Sequence, residues 1–462
     1  MQTFIDDLLI AIRGDESNFT EGSIRRAIFL LAVPMVLEMS MESLFAIVDT
    51  YFVNMISVEA AAAVTLTESV MFLVYSVAFG LAMATTAMVA RRIGEKDEAG
   101  AEEAATQSLV IGVAMAVLIM LVGIFFSEDI LRLMGGSEKL IEDGKGYTQV
   151  MLVGNLSIMF LFLNNAIFRG AGDASLAMRA LILSNGLNIF LDPLFIFGLG
   201  PIEGMGVSGA AVATNTGRFI GVLFQFWVLI FGSKSIIRLT KDSVKIVWYV
   251  ILRLLKVASG GMGQYLIGSA SWLFLVAIVA ESGDAAVNGY GIAIRVIIFT
   301  ILPAWGMANA AATLVGQNLG AGQPERAEKS VWQASIYNML FLLAVSVVFG
   351  LLAEPIIGIF TQNAEALGYG TLALRIICLG YIAYAFGMVT SQAFNGAGDT
   401  FTPTMINVVA FWIIQIPLAW TLAKFFEMGP LGVFIAVAAS ETVLAVIAVI
   451  LFRQGKWKKV GI

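Results

Sequence analysis

The chain alternates long apolar stretches with short polar or glycine-rich ones. A transmembrane helix needs about 20 mostly apolar residues, and twelve stretches of the 462-residue chain are of this kind. Their approximate bounds are 28–53, 62–88, 104–126, 147–168, 176–199, 206–231, 251–280, 286–314, 331–352, 369–394, 401–424 and 430–452. Because the connections are short, we predict an all-α integral membrane protein of twelve transmembrane helices with no separate soluble domain.

The sequence repeats itself at an offset of 226 residues. Phe168-Arg-Gly-Ala-Gly-Asp173 recurs as Phe394-Asn-Gly-Ala-Gly-Asp399, with five identities in six positions. The same offset relates Gly94 to Gly320 and Glu102 to Glu328. Since each half holds six spans, both halves have the same topology, which predicts two six-helix lobes related by a parallel internal repeat. This architecture is typical of an alternating-access transporter, with a duplicated channel or scaffold as the alternative.

The repeat and the charges divide the chain into five parts. We predict a cytoplasmic amino-terminal segment (1–27), either an amphipathic helix or a frayed tail, a first lobe (28–231), a cytoplasmic linker (232–250), a second lobe (251–452) and a basic cytoplasmic tail (453–462). With the amino terminus inside, 20 of the 27 Lys and Arg residues fall on the cytoplasmic side, Arg169 among them. The positive-inside rule therefore places both termini in the cytoplasm, and we expect a multi-pass protein of the plasma or inner membrane.

Composition narrows the function further. Hydrophobic residues make up 59% of the chain and charged residues 13%, half the charge of an ordinary soluble domain. The chain has no histidine and only one cysteine, Cys378, so His-based catalysis, zinc sites and internal disulfides are excluded. We expect no enzyme activity and no cofactor. The net charge of −6 argues against a nucleic-acid partner.

Acidic residues inside the predicted spans are the first candidates for function, because a charge at the bilayer centre costs about 2.5 to 3.5 kcal/mol on insertion scales. Glu38, Glu42 and Asp49 fall within about 40° of one another around the first helix. We therefore expect this face to line a cavity. We interpret Glu38 and Glu42 as a feature that selects cations, with pairing to a neighbouring helix as the alternative.

A second polar group lies in the fifth and sixth spans. Asn188 and Asp192 share a helix face, and Pro193 frees the carbonyl oxygen of Ile189 beside the carboxyl group. Thr214 contributes a hydroxyl from the sixth span, and Pro34 should loosen the first helix. We interpret Pro34 and Pro193 as helix-bending residues, with a role in packing alone as the alternative.

The second lobe lacks this polar set, since Asp49, Asn188 and Asp192 correspond to Leu275, Ile414 and Leu418. We therefore predict a coupling site in the first lobe only. Burial favours the neutral form of a carboxyl group, so these acids could carry protons, or they could bind Na⁺ with the oxygens of Asn188 and Thr214. Arg218 lies on the face of Thr214, and its pairing with Asp192 or Glu68 would instead keep the acid ionised.

Together these residues resemble the multidrug and toxic compound extrusion (MATE) family, over about residues 25–452. The resemblance rests on the order and spacing of five elements. They are Pro34 with Asp49, Gly94 with Ala101-Glu102, the paired Gly-Ala-Gly-Asp motifs, Asn188-x-x-x-Asp192-Pro193, and the stretch Gly206 to Thr214. It implies export of amphipathic, often cationic, organic compounds in exchange for H⁺ or Na⁺.

The resemblance implies that four residues form a first-lobe cation site like that of the prokaryotic DinF-like branch: Asp49, Asn188, Asp192 and Thr214. It also implies that Tyr147 and Asn165 line the cavity beside this site. The NorM-like branch has acidic residues in its seventh and tenth transmembrane spans. The seventh and tenth predicted spans of this chain have no acidic residue in their central parts. These helices instead offer further cavity residues, namely Gln264, Trp272, Tyr384 and Gln392.

Three other functions fit the sequence less well. A major-facilitator transporter would carry a signature that Arg91-Arg-Ile-Gly-Glu-Lys-Asp97 matches only loosely. A flippase for lipid-linked oligosaccharides would line its cavity with arginines, whereas this cavity is expected to be acidic. An intramembrane enzyme would need a nucleophile or metal cluster. We therefore predict a secondary antiporter for small organic cations in the lipid bilayer, and expect a monomer because nothing in the sequence requires a dimer.

Overall fold

The computed structural model describes residues 2–14, 19–56, 58–232, 237–239 and 245–462. Of the predicted linker 232–250, residues 233–236 and 240–244 lie outside the described residues, and so do Lys234 and Lys241, two of the charges used to predict orientation. In the amino-terminal segment 1–27, residues 1 and 15–18 also lie outside them.

The described chain is built almost entirely of α-helices. We number them α1 to α15 in chain order: Gln2–Arg13, Ile24–Asn54, Val58–Gly94, Glu98–Leu133, Glu138–Val153, Asn155–Ala171, Ala174–Phe197, Val207–Phe231, Trp248–Ala280, Asp284–Gly320, Pro324–Gly358, Ala364–Cys378, Tyr381–Gly396, Phe401–Phe425 and Pro430–Arg453. Helix α14 contains wide π-helical turns at Val408–Gln415 and Thr421–Phe425. A two-stranded antiparallel ribbon, β1 (Gly198–Leu199) and β2 (Ile202–Glu203), joins α7 to α8.

The helix count agrees with the twelve predicted spans. Within the described residues, ten helices are long and apolar enough to cross a membrane, and two bent pairs bring the number to twelve. The pairs are α5 with α6, bent by 41°, and α12 with α13, bent by 58°. Several helices extend beyond their apolar stretch, so that α10 continues to Gly320 although hydropathy ends its span near residue 314.

The internal repeat is visible in the helix boundaries. Helices α3, α4, α5 and α6 begin at residues 58, 98, 138 and 155, and their counterparts α10, α11, α12 and α13 begin at 284, 324, 364 and 381. Each pair of starts is 226 residues apart, and both bent pairs occur at equivalent places. Two copies of one six-helix plan, α2–α8 and α9–α15, therefore form the two lobes.

The lobes contact each other through their first two helices. Helix α2 packs on α10, and α9 packs on α3, which is the equivalent contact with the lobes exchanged. Helices α3 and α10 also pack against each other. Glycines allow these backbones to approach closely: a Cβ atom on Gly306 would lie 2.6 Å from the carbonyl oxygen of Met35, and one on Gly80 would lie 2.6 Å from that of Ala258.

The lobes touch at the end of the bundle where α3 and α10 finish. A Cβ atom on Gly94 would overlap the carbonyl oxygen of Gln317, and one on Gly320 would overlap that of Arg91. These are the same contact made twice, because both pairs differ by 226 residues. The Gln317 amide also donates to the Gly170 carbonyl oxygen of the other lobe at 3.2 Å. The bundle is therefore closed at this end, which we call the closed end.

Both terminal segments reinforce the closed end. Arg326 of the second lobe donates hydrogen bonds to the carbonyl oxygens of Phe19, Glu21 and Gly22, which precede the first lobe. In the opposite sense, Arg91 of the first lobe donates to the Val460 carbonyl oxygen in the tail. The predicted amphipathic segment contains helix α1, which packs on α2 and leaves Phe4, Ile5 and Leu9 exposed.

Candidate functional site: a cavity between the lobes and a buried polar cluster

A cavity of about 240 Å³ lies between the lobes. The first lobe contributes residues from α2, α3, α6 and α7, and the second lobe contributes residues from α9, α10 and α13. Of the predicted cavity residues, four line it: Glu38, Glu42, Asn165 and Gln392. The rest of the wall includes five aromatic side chains, which we call the aromatic wall: Tyr75, Phe79, Phe162, Tyr265 and Trp305.

The aromatic wall joins the two lobes. Phe79 of α3 stacks on Tyr265 of α9 with ring centroids 5.0 Å apart, and its edge meets Trp305 of α10 at 6.3 Å. Phe72 stacks on the same Tyr265 at 4.8 Å. Such a wall offers flat apolar surface and ring faces that attract cations within about 6 Å.

Glu38 forms a buried ion pair with Arg169. The guanidinium of Arg169 donates to Glu38 Oε1 at 2.7 Å, and the Asn165 amide donates to the same oxygen at 3.1 Å. The side chain of Glu38 is 1% exposed and that of Arg169 is 11% exposed. Arg169, counted among the charges on the cytoplasmic side, is thus buried near the end of α6 and paired with a carboxylate. Helix α6 continues to Ala171 and ends on Gly172 with a φ of 88°, which keeps Arg169 inside the lobe.

The same place in the second lobe holds an uncharged pair. Gln264 and Asn395 are the repeat equivalents of Glu38 and Arg169, and they exchange two hydrogen bonds, of 2.9 and 3.1 Å. Gln264 also donates to the Thr400 carbonyl oxygen at 3.0 Å. The one mismatch between the two six-residue motifs, Arg against Asn, is thus accompanied by a matching change, Glu against Gln, on the facing helix.

Glu42 is also compensated by an arginine. Arg218 lies 3.5 Å from the Glu42 carboxylate, donates to the Tyr75 hydroxyl at 3.1 Å, and stacks over the Phe45 ring at 5.2 Å. Within the described residues Arg218 therefore pairs with Glu42, and not with Asp192 or Glu68. The cavity expected to be acidic does carry these two glutamates, but each has a guanidinium partner from its own lobe.

The predicted coupling residues of α7 and α8 form one buried cluster. The Asn188 amide donates to Asp192 Oδ1 at 3.0 Å and to Thr214 Oγ1 at 3.4 Å. Asp192 is fully buried, and Asn188 and Thr214 are 1% and 5% exposed. Asp192 Oδ2 and Asn188 Oδ1 are both buried without a hydrogen-bond partner in the described part of the chain. Two unsatisfied oxygens on adjacent side chains are suited to a proton or a small cation.

Asp49 is close enough to interact electrostatically with Asp192, although it is partly exposed and lies outside this hydrogen-bonded cluster. Asn185, one turn before Asn188, connects the cluster to the cavity. Its amide donates to the Met41 carbonyl oxygen at 3.2 Å and to the Glu42 carboxylate at 3.4 Å. Polar side chains on one helix, α7, thus lead from the cavity to the buried carboxyl of Asp192.

Four predicted cavity residues lie elsewhere. Tyr147 is 3% exposed in an apolar cluster with Val53 and Met71, and Trp272 packs against the apolar core of the second lobe. Gln264 supports Asn395 from behind the cavity wall, and Tyr384 packs against the core. Tyr384 precedes the lining residue Gln392 by eight positions, which places it about 80° around the helix.

The two predicted helix-bending prolines lie inside helices that continue through them. Pro34 is within α2 and Pro193 is within α7, and neither helix is interrupted at its proline. Pro34 is adjacent to Met35, whose carbonyl oxygen faces Gly306 of the second lobe. The proline is therefore next to the close contact between α2 and α10.

Several site residues were missed by the sequence reasoning. A buried amide ladder stands behind Glu38: Asn164 donates to Gln225 at 3.2 Å, and Gln225 donates to Asn165 at 2.6 Å. The signal that could have revealed Arg169 was present in the repeat, because it is the one position at which the two motifs differ. Asn185 could have been found from its place one turn before Asn188 on the same helix.

Comparison with known proteins supports this architecture. The MatE family model matches residues 34–194 and again 262–421, so one match falls in each lobe at nearly the repeat offset. A probable multidrug resistance protein NorM from Thermotoga maritima is 30% identical over 437 residues, which are 94% of each chain.

Solved structures agree over the same length. A crystal structure of MATE in complex with MaL6 superposes with a TM-score of 0.90 and 29% identity, over 94% of this chain and 97% of that one. A MOP superfamily transporter from Pyrococcus furiosus, for which reverse polarity of the binding pocket suggests a different function, superposes with a TM-score of 0.90 and 28% identity, over 96% and 98%. These matches confirm the predicted fold of twelve helices in two lobes, and the chain belongs to the MatE family of multi-pass membrane transporters.

Proposed function

We propose that this protein is a secondary antiporter that exports amphipathic organic compounds, cations among them, in exchange for H⁺ or Na⁺. The observation that carries the proposal is the cluster of Asn188, Asp192 and Thr214. A fully buried carboxyl group with one unsatisfied oxygen, beside an unsatisfied amide oxygen, is costly unless a proton or cation occupies it for part of the cycle.

The coupling ion is held in the first lobe. Asp192 accepts a proton, or its free oxygen joins those of Asn188 and Thr214 around Na⁺, because hard cations take oxygen ligands. Asp49 adds a second carboxyl group within electrostatic range. Because Arg218 is engaged by Glu42 at 3.5 Å, Asp192 has no guanidinium partner in the described structure and remains free to bind and release the ion.

The substrate occupies the cavity between the lobes. Relatives such as the NorM protein of Thermotoga maritima are named as probable multidrug resistance proteins, and the aromatic wall suits flat amphipathic molecules. With both glutamates paired to arginines, attraction for cations comes from ring faces such as those of Phe79 and Tyr265. Asn185 contacts both Glu42 and the backbone of α2, so it provides a route by which the ion site and the cavity affect each other.

The positive-inside prediction makes the closed end the cytoplasmic one, with both termini inside the cell. The protein is taken as a monomer in the cell membrane. In this state the cavity is shut off from the cytoplasm by the α3–α10 contact. Export then requires separation of Gly94 from Gln317 and of Gly320 from Arg91, so that the cavity opens to the cytoplasm to take up its next substrate.

Reconstitution into vesicles tests the proposal. The protein is inserted into liposomes, a pH or Na⁺ gradient is imposed in separate experiments, and movement of a fluorescent organic cation is followed. We expect dye movement driven by at least one gradient and abolished when an ionophore collapses it. Liposomes that contain the Asp192→Asn variant serve as the control. Dye movement that is the same with and without either gradient would contradict antiport.

A further inference from the structure

Glu38 carries a hydrogen-bond acceptor that nothing in the described structure uses. Its Oε1 atom receives both Arg169 and Asn165, whereas Oε2 is buried and has no hydrogen-bond partner among the described residues. The residue lines the cavity between the lobes. A buried acceptor without a partner is unfavourable in the empty cavity and becomes favourable when a ligand donates to it.

The charge of this acceptor is largely offset. Arg169 is held 2.7 Å from Oε1, so a ligand at Oε2 meets a carboxylate whose negative charge is already balanced by a guanidinium. The free oxygen should therefore discriminate ligands by whether they present an N–H or O–H group, and much less by their net positive charge. A hydrogen bond to an ionised acceptor is stronger than one between neutral groups.

The aromatic wall provides the other half of such a site. Phe79, Tyr265 and Trp305 line the same cavity as Glu38 and bring ring surfaces from both lobes. A flat ring system packs on these side chains, and a donor at its edge reaches the polar corner formed by Glu38, Asn165 and Arg169. The cavity volume of about 240 Å³ is just below the usual range of small-molecule pockets, which favours compact ring systems.

We propose that Glu38 Oε2 is the specificity-determining contact of the cavity, and that its ligands are flat aromatic compounds with an exocyclic N–H or O–H donor on the ring system. This inference rests on the proposed export function and names the substrate class. The second lobe offers no such contact at the equivalent position, because the Gln264 and Asn395 amides satisfy each other. Recognition of the donor group is therefore one-sided and belongs to the first lobe.

Two acridine dyes differ in their exocyclic donors. Proflavine and acridine orange share one ring system and, as cations at neutral pH, both carry a proton on the ring nitrogen, but only proflavine carries N–H groups on its two exocyclic nitrogens. Binding to the purified protein in detergent is measured by dye fluorescence with no ion gradient. We expect proflavine to bind about tenfold more tightly, the effect of about one hydrogen bond to a charged group. Equal binding, or tighter binding of acridine orange, would overturn the proposal without any variant being made.

The internal repeat indicates which variant tests the role of Glu38. Glu38→Gln combined with Arg169→Asn reproduces the amide pair of the second lobe and removes the free acceptor. We expect proflavine binding to weaken about tenfold, while acridine orange binding stays within about twofold. Equal weakening of both dyes, or no change in either, would refute the assignment. Because binding is measured without a gradient, a failure of antiport in vesicles and a failure of donor recognition give different results.

Discussion

Arg169 and Glu38 form a 2.7 Å ion pair at the place where the other lobe carries an amide pair. The two lobes share one backbone plan, yet one lobe buries two opposite charges and the other buries two neutral amides of similar hydrogen-bonding capacity. The change of charge therefore occurs at both partners together, so each pair is internally matched. Arg169, the one residue of the repeated motif that differs between the lobes, lines the cavity. The four motif residues that follow it are identical in the two lobes.

This matching predicts strong coupling between the two positions. Glu38→Gln leaves Arg169 buried without its carboxylate, and Arg169→Asn leaves Glu38 without its guanidinium, so each single variant should lose about 3–5 kcal/mol of stability. The double variant should return to near the stability of the original protein. Thermal unfolding in detergent, followed by tryptophan fluorescence, measures all three. A double variant as unstable as the two singles combined would show that the pair is not an independent unit.

The buried cluster predicts a separation of transport from binding. Asp192→Asn removes the ionisable group but keeps a side chain of the same shape beside Asn188 and Thr214. Gradient-driven dye movement in vesicles should fall to the background rate, while dye affinity in detergent changes less than about threefold. Asp49→Asn should act in the same direction. Full gradient-driven activity in both variants would remove the coupling site from the first lobe.

Glu42 should protect the coupling site by occupying Arg218. In Glu42→Gln the guanidinium loses its 3.5 Å partner and is drawn to the remaining acids, since unscreened charges attract strongly in a low-dielectric interior. We expect gradient-driven transport to drop at least tenfold although Asp192 is intact. The control is Glu42→Asp, which keeps the charge and should retain most of the activity. Normal coupling in Glu42→Gln would mean that Arg218 does not reach the site.

The glycine contacts at the closed end predict an effect on conformation. Gly320→Ala places a methyl group on the Arg91 carbonyl oxygen, and backbone cannot move aside as a side chain can. We expect a loss of about 1–3 kcal/mol and easier opening at this end. The matched control is Gly291→Ala in the same helix, where a methyl group meets nothing within 4 Å.

Opening is measured with a single cysteine. In a Cys378→Ser background, Thr86→Cys places a thiol on the cavity wall, and a membrane-impermeant maleimide is added from the cytoplasmic side. Gly320→Ala should raise the labelling rate several-fold, and Gly291→Ala should leave it unchanged. Equal rates in the two variants would show that the α3–α10 contact does not control access.

Helix positions could be predicted from hydropathy because each span is a long apolar stretch between polar residues. The predicted 401–424 compares with α14 at Phe401–Phe425, and 251–280 compares with α9 at Trp248–Ala280. Where the prediction fell short, helices continue past the apolar stretch into the contact between lobes. In α10 the polar residues Gln317 and Asn318 are 1% and 0% exposed, so they are buried by packing against protein and not by lipid.

The site was predictable where its residues are close in sequence. Asn188 and Asp192 are four apart on one helix, and their hydrogen bond follows from helix geometry. The pairing of Glu38 with Arg169 joins residues 131 positions apart and depends on how α2 packs against α6. No local pattern contains that information. Tyr384 was predicted as a cavity residue of the tenth span, where the NorM-like branch has an acid, but the helix turns it away from the lining face.

The two glycine contacts at the closed end also show how the two lobes are related. Gly94 on Gln317 and Gly320 on Arg91 are one contact repeated by the pseudo-two-fold relation of the lobes. In a symmetric homodimer of a single six-helix half, one glycine used twice would form this whole contact, as in an isologous interface. Each half of the chain therefore carries a surface that is complementary to its own copy, and the covalent link joins two units whose contact has the form of a dimer interface.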